Sequence, residues 1–286
     1  MLTEMALRSF VLDVARLSLW LALLTLVFVP LERLFSLHPS KVLRVEVLTD
    51  VGYYFLSSLL PSLLLAVPIG ALAWLLHHTL PTGFLSFTAD LPTWARLLAV
   101  LVVGEIGFYW GHRWSHEIPF LWRFHAIHHS AEHMDFLVNT RAHPVDMVFT
   151  RLCGLAPLYV LGLMQVARDK TALGPILLIL VGTVWGFFIH SNLRFRLGWL
   201  EWLIATPAFH HWHHTNDENR NLNYATLLPV LDRVFGTLHL PRHWPPNYGI
   251  DSKMPLGLLG QLLHPFRMKR HRDTGASETG VPAATL

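Results

Sequence analysis

The chain has 286 residues, of which 52% are hydrophobic and only 14% charged, and its mean hydropathy is +0.40. Such a composition excludes an ordinary soluble globule and suits a protein whose solvent is partly lipid. The formal net charge of +3 comes from basic residues that flank apolar runs instead of clustering on one face, which argues against a nucleic-acid binder.

The first apolar run, Phe10 to Pro30, lies between Arg8 and the Glu32–Arg33 pair. About 20 helical residues cross the hydrocarbon core, so this run predicts a transmembrane helix. It is too long for a signal peptide and lacks a small-residue cleavage site. The second run, Val51 to Leu76, contains Pro61 and Pro68 and predicts a kinked span. The third, Leu97 to about Tyr109, carries Glu105 and leads into a histidine cluster, where the helix is expected to leave the membrane and continue. Two further spans are expected at Met147 to Met164 and Leu173 to Ile189, joined by a polar turn from Gln165 to Thr171. The tail after Pro265 reads as disordered. The fold class expected is an all-α integral membrane protein with four to five transmembrane helices and a helical, histidine-rich metal-binding region on its cytoplasmic face. Its parts are N-terminal transmembrane helices (1–93), a catalytic domain that includes transmembrane helices (94–250) and a partly disordered C-terminal tail (251–286).

Lysine and arginine counts give the orientation. Arg33, Lys41 and Arg44 follow the first span, none occurs between His77 and Pro92, and Arg113, Arg123 and Arg141 follow the third. The positive-inside rule then puts the first and third connections in the cytoplasm. Arg168 and Lys170, at the tip of the last hairpin, count mildly against that scheme. Under it, every histidine cluster falls on one face of the membrane. The tail lacks a Lys-Asp-Glu-Leu retention signal, and a bacterial inner membrane is expected in preference to the endoplasmic reticulum.

A single cysteine, Cys153, excludes disulfides within the chain and thiolate clusters, and its apolar surroundings predict a small buried hydrophobe. Nineteen histidines in a lipid-loving chain are the unusual feature. Three clusters follow one pattern: His112 and His116; His125, His128 and His129; His210, His213 and His214. Residues three or four apart share a helix face, so each cluster can aim two or three imidazoles at one point. Neutral imidazole binds iron, zinc and copper, and eight such nitrogens exceed the three or four of a mononuclear zinc centre. They suit two metals. A lone His-x3-His is often incidental and histidines also serve as pH sensors, but neither accounts for three regularly spaced clusters in order.

The order His-x3-His, His-x2-His-His, His-x2-His-His on a multi-span chain resembles the fatty acid hydroxylase/sterol desaturase superfamily. The resemblance runs from about Glu105 to Gly249. It includes Ser130 after the second cluster, Thr140-Arg141-Ala142-His143-Pro144, His190-Ser191-Asn192-Leu193, Tyr224 and Asp232-Arg233-Val234-Phe235-Gly236-Thr237. It implies two non-haem irons that activate O2 as co-substrate to hydroxylate or desaturate a lipid such as a sterol or fatty acyl chain. The ligands it implies are His112, His116, His125, His128, His129, His210, His213 and His214, completed by His190, with His143 as a further ligand or a supporting residue. Glu117 and Asn192 are the residues expected to assist at the site. Asp135, Arg141, Asp217 and Asp232 are candidates to orient ligands. His211 is expected to face away and His133 to lie at the surface. Electrons must arrive from an external donor such as a reductase, a ferredoxin or a cytochrome-type protein, since no flavin or haem motif is present. Two other readings fit the same residues: a zinc-dependent membrane hydrolase, against which stands the absence of His-Glu-x-x-His, and a non-enzymatic lipid-binding membrane protein.

Overall fold

A computed structural model describes residues 2–39, 41–164 and 173–267. The expected turn at Gln165 to Thr171, with Arg168 and Lys170, lies outside the described residues, as does the tail from 268 onward. Among the described residues, ten α-helices follow one another: α1 (Leu2–Leu34), α2 (Val47–Thr79), α3 (Thr82–Ala89), α4 (Thr93–Glu117), α5 (Pro119–His129), α6 (Pro144–Val160), α7 (Leu173–His190), α8 (Pro207–His213), α9 (Val230–Val234) and α10 (Leu258–Arg267). Among the described residues there is no strand, only two isolated bridges. The chain is an all-α membrane protein.

Three helices, α1, α2 and α4, are long and apolar enough to cross a membrane. Leu19, Leu23 and Leu26 of α1 and Leu63, Val67 and Trp74 of α2 point outward, as a lipid solvent allows. Pro61 and Pro68 sit inside α2 without ending it. The helices expected as fourth and fifth spans both form. At 17 and 18 residues, α6 and α7 are about 26 Å long, against a hydrocarbon core of about 30 Å. The third span is a single helix through both His112 and His116.

All five long helices bring one end to the histidines. The C-terminal ends of α1, α4 and α7 and the N-terminal ends of α2 and α6 meet there. Glu32 of α1 accepts from the backbone N–H groups of Phe136 (2.8 Å) and Asn192 (3.0 Å). Arg141, fully buried, binds Asp50 of α2 (2.8 Å), Glu46 (2.9 Å) and Ser130 (3.1 Å). Arg44 pairs with Asp135 (2.6 Å) and with Asp50. Gln261 of α10 donates to Glu46 (2.8 Å), so the tail begins as an ordered helix docked on this network.

The helix α4 lies very close to α6. A Cβ on Gly107 would stand 2.2 Å from the Cys153 carbonyl oxygen, and one on Gly111 2.7 Å from the Cys153 Cβ. Glycines four apart thus let two backbones touch, the small-residue packing used between membrane helices. Cys153 is half-buried there as a packing residue. Three helices of the site begin with proline, whose fixed φ and missing N–H suit the first helical position. These are Pro119 of α5, Pro144 of α6 and Pro207 of α8.

Candidate metal centre

Nine histidines converge in two groups. His112, His116, His125, His129 and His213 form one, and His128, His190, His210 and His214 the other; within each, the ring nitrogens on offer lie within 4.8 Å of one another. The clusters of the sequence are not the groups of the structure. The i,i+4 pairs 112/116, 125/129 and 210/214 stay together, as one helix face dictates. His128 and His213 cross over, because residues one apart point about 100° apart on a helix.

The rings are held by their outer nitrogens. His112 Nδ1 donates to the Tyr224 carbonyl (2.7 Å), His213 Nδ1 to that of Leu222 (2.9 Å), His128 Nδ1 to that of Arg141 (3.0 Å) and His190 Nδ1 to that of Gly186 (2.7 Å). His125 Nδ1 meets the Asp146 carboxylate at 3.0 Å and His116 Nδ1 the Asn221 side-chain oxygen at 3.3 Å. A carbonyl only accepts, so Nδ1 carries the proton and Nε2 is left with a bare lone pair. Those lone pairs face one another. His128 Nε2 and His190 Nε2 are 3.3 Å apart although neither carries a proton, and the Nε2 atoms of His116 and His213 are buried without a partner. The other inward contacts, His190 to His210 (2.9 Å), His210 to His214 (3.2 Å) and His125 to His129 (3.1 Å), are slightly shorter.

Two nitrogens at about 2.1 Å from one cation, subtending 90–110°, stand roughly 3.0–3.4 Å apart. Converging lone pairs at that spacing repel each other unless a cation lies between them, so the residues present fit a metal in each group. Burial, reinforced by neighbouring rings, pushes His128, His129, His210, His213 and His214 well below the ordinary imidazole value. They are neutral, which is the form that ligates. Neither group includes a carboxylate or a thiolate.

The loop after α8 is shaped to deliver two of the supporting carbonyls. Asn223 adopts φ 58°, a left-handed conformation that Asn tolerates better than most residues. It separates Leu222 from Tyr224, whose carbonyls serve His213 and His112. Its own amide binds the Phe209 and His239 carbonyls at 2.9 and 2.7 Å. Asp232 accepts from the Tyr224 and Ala225 N–H groups (2.7 and 2.9 Å), and burial raises its carboxyl to about 6. Glu105, in the third span, accepts from the N–H groups of Thr226 (2.8 Å) and Leu227 (2.6 Å). Its side-chain oxygen therefore clamps this loop.

Some expected residues stand elsewhere. His143 caps α6 by accepting from the Val145 N–H (3.1 Å), turns Nε2 to the Leu262 carbonyl (3.2 Å) and packs on Phe124. It joins neither group, because the Pro144 that follows commits it to the cap. Glu117 is exposed and pairs with Arg113 (2.8 Å), one helical turn back on α4. Asn192 spends its side chain on the backbone of His38, accepting at 3.0 Å and donating at 2.6 Å. Asp135 and Asp217 serve Arg44 and the cap of the Glu218–Asn221 turn. His211 binds Tyr248 and the Ser191 carbonyl outside both groups, and His133 is exposed. The spacing of histidines gave no sign of Asp146 and Asn221, which contact ring nitrogens directly.

Residues 97–237 match the family model described as fatty acid hydroxylase. An ornithine lipid hydroxylase, OlsE, of Rhizobium tropici is 37% identical over 180 residues, covering 60% of this chain and 51% of that protein. The alkylglycerol monooxygenase of Danio rerio is 34% identical over 145 residues (50% of this chain, 30% of that protein). A very-long-chain aldehyde decarbonylase, GL1-5, of Oryza sativa subsp. indica is 28% identical over 165 residues (52% and 25%). The chain spans about half the length, or less, of these curated relatives. No solved structure matches it. The matched segment, just under half of the chain, holds all nine grouped histidines together with Asp146, Asn221 and Tyr224, and it is a fatty acid hydroxylase domain.

Proposed function

We propose that this chain is a membrane-bound di-iron oxygenase that hydroxylates a lipid, with O2 as co-substrate and electrons from an external reductase, ferredoxin or cytochrome-type donor. The observation that carries the reading is the pair of converging lone-pair sets at the head of an apolar cleft. That cleft, about 480 Å3, lies between α4, α6 and α7; Phe108, Leu155, Trp185 and Ile189 line it and His190 closes it. The names of the relatives, a lipid hydroxylase and a monooxygenase among them, support the same class of chemistry.

Two irons bound by neutral nitrogens would supply O2 activation and hydrogen abstraction from an unactivated C–H bond. The protein's own part is positional. Tyr224, Leu222, Arg141 and Gly186 carbonyls fix four rings in one tautomer, which sets ligand direction. Apolar walls of the cleft keep water from the reacting carbon and align the substrate's chain with His190. The division into transmembrane helices at 1–93, a catalytic domain at 94–250 and a tail from 251 belongs to this reading, as does a cytoplasmic placing of the site in a bacterial inner membrane.

The test is elemental analysis of detergent-purified protein followed by a lipid-product screen under 18O2. Close to two irons per chain and an 18O-labelled lipid product are expected. Zinc that iron cannot replace, together with hydrolysed lipid, would instead establish the hydrolase.

A further inference from the structure

A second apolar cleft, about 450 Å3, lies between α1, α2 and α7, lined by Leu17, Trp20, Leu24, Tyr54 and Phe187. It shares two residues with the cleft that ends at His190: Asn139 and Arg151 line both. Arg151 stands on α6, about two turns from Pro144 or roughly 10 Å along the axis. Its side chain is accessible from the clefts, and among the described residues the guanidinium makes no hydrogen bond or ion pair with protein. The Asn139 side chain likewise makes none, and it packs so closely on Gly186 that a Cβ there would come within 2.7 Å of its oxygen.

An arginine does not lose its charge, and a charge within a membrane helix bundle is found paired or lining a substrate path. Four other arginines near the histidines, Arg44, Arg113, Arg141 and Arg196, each have a carboxylate. Arg151 instead lines the two mainly apolar clefts, with the Asn139 amide beside it as a second donor.

We propose that Arg151, assisted by Asn139, is the subsite for the anionic group of the lipid substrate, a carboxylate or a phosphate, whose hydrocarbon fills the clefts. Charge complementarity selects the occupant: a planar fork of N–H donors binds two oxygens of such a group at once. The proposal rests on the oxygenase reading for its substrate and deepens it by naming the substrate's charge.

The test uses the full chain in detergent micelles and the quenching of tryptophan fluorescence by brominated lipids, since Trp20 and Trp185 line the clefts. Dibromostearate is compared with its methyl ester, and brominated phosphatidic acid with the matching diacylglycerol. We expect at least one anionic lipid to bind about tenfold more tightly than its neutral counterpart. Arg151→Gln should abolish that preference and Arg151→Lys retain most of it. Equal affinity for charged and neutral forms in the wild type, or a preference that survives Arg151→Gln, overturns the proposal. Preference for only one anion identifies it as carboxylate or phosphate. Iron content measured on the same samples separates the two readings: iron present without a charge preference defeats this subsite alone, whereas absent iron defeats the oxygenase.

Discussion

The two histidine groups are built to different standards of support. In the five-ring group, four rings have a partner on Nδ1, and two of those partners are side chains, Asp146 and Asn221. In the four-ring group, His128 and His190 lean on carbonyls, while His210 and His214 leave a buried Nδ1 without any partner. One group is fixed from behind by polar contacts. The other is fixed mainly by packing and lies against the apolar cleft through His190. Rings braced from behind hold a ligand direction before metal arrives, whereas unbraced rings depend on the metal to set them.

The sharpest break comes from neighbouring residues. His213→Ala and His214→Ala differ by one position, yet each should remove about one of two metals, and from opposite groups. His210→Ala, which cuts four rings to three, should lose more activity than His213→Ala, which cuts five to four. Metal counting and a group-specific Mössbauer signal check both statements; loss of both metals in every variant would make the two groups one cooperative site.

Acid is the next strongest lever. His128, His129, His210, His213 and His214 are depressed by burial in the folded chain, so below about pH 6.5 the unfolded chain takes up protons that the folded chain refuses. Stability is therefore complete above that pH and falls below it, by up to about 1.4 kcal/mol per pH unit for each such ring. Metal retained after gel filtration should decline over the same window, and the four-ring group should empty first. Smaller again is Asp146→Asn, which keeps shape and removes the negative charge behind His125. It should weaken the five-ring group about 10- to 100-fold in metal affinity and leave the other unchanged, as read by competition with a chelator. Glu117→Gln should be nearly silent. An exposed i,i+4 pair with Arg113 is worth at most about 0.5 kcal/mol, so metal content and turnover should match the wild type.

How far the sequence could be read follows from the range of the interactions. Histidine spacing is a local property of a helix, and eight of the nine grouped histidines were visible for that reason, whereas His190 was implied only by the family resemblance. Proline at the first helical position marks the starts of α5, α6 and α8, a local signal that the reading by apolar runs did not use. Sorting the rings into groups was not, because adjacent His128 and His129 separate only when α5 is packed against α7 and α8. Asp146 stands 21 residues from His125, and the carbonyls of Leu222 and Tyr224 have no side-chain signature at all. Glu117 and Asn192 drew notice by adjacency along the chain. Glu117 points away from His116 at the end of α4, Asn192 lies beyond the end of α7, and both side chains are used for structure.

Arg141 has a consequence for recombining relatives. Its partners Glu46 and Asp50 lie upstream of residues 97–237, and Gln261, which completes the clasp on Glu46, lies downstream. A chimera that grafts the matched segment onto the terminal helices of another protein would carry a guanidinium with no exposed surface into foreign surroundings. Removing one partner from such a buried pair costs about 3–5 kcal/mol, a large share of the stability of an ordinary domain. Productive crossover points for this chain therefore lie before Arg44 and after Gln261, well outside the boundaries that similarity alone would draw.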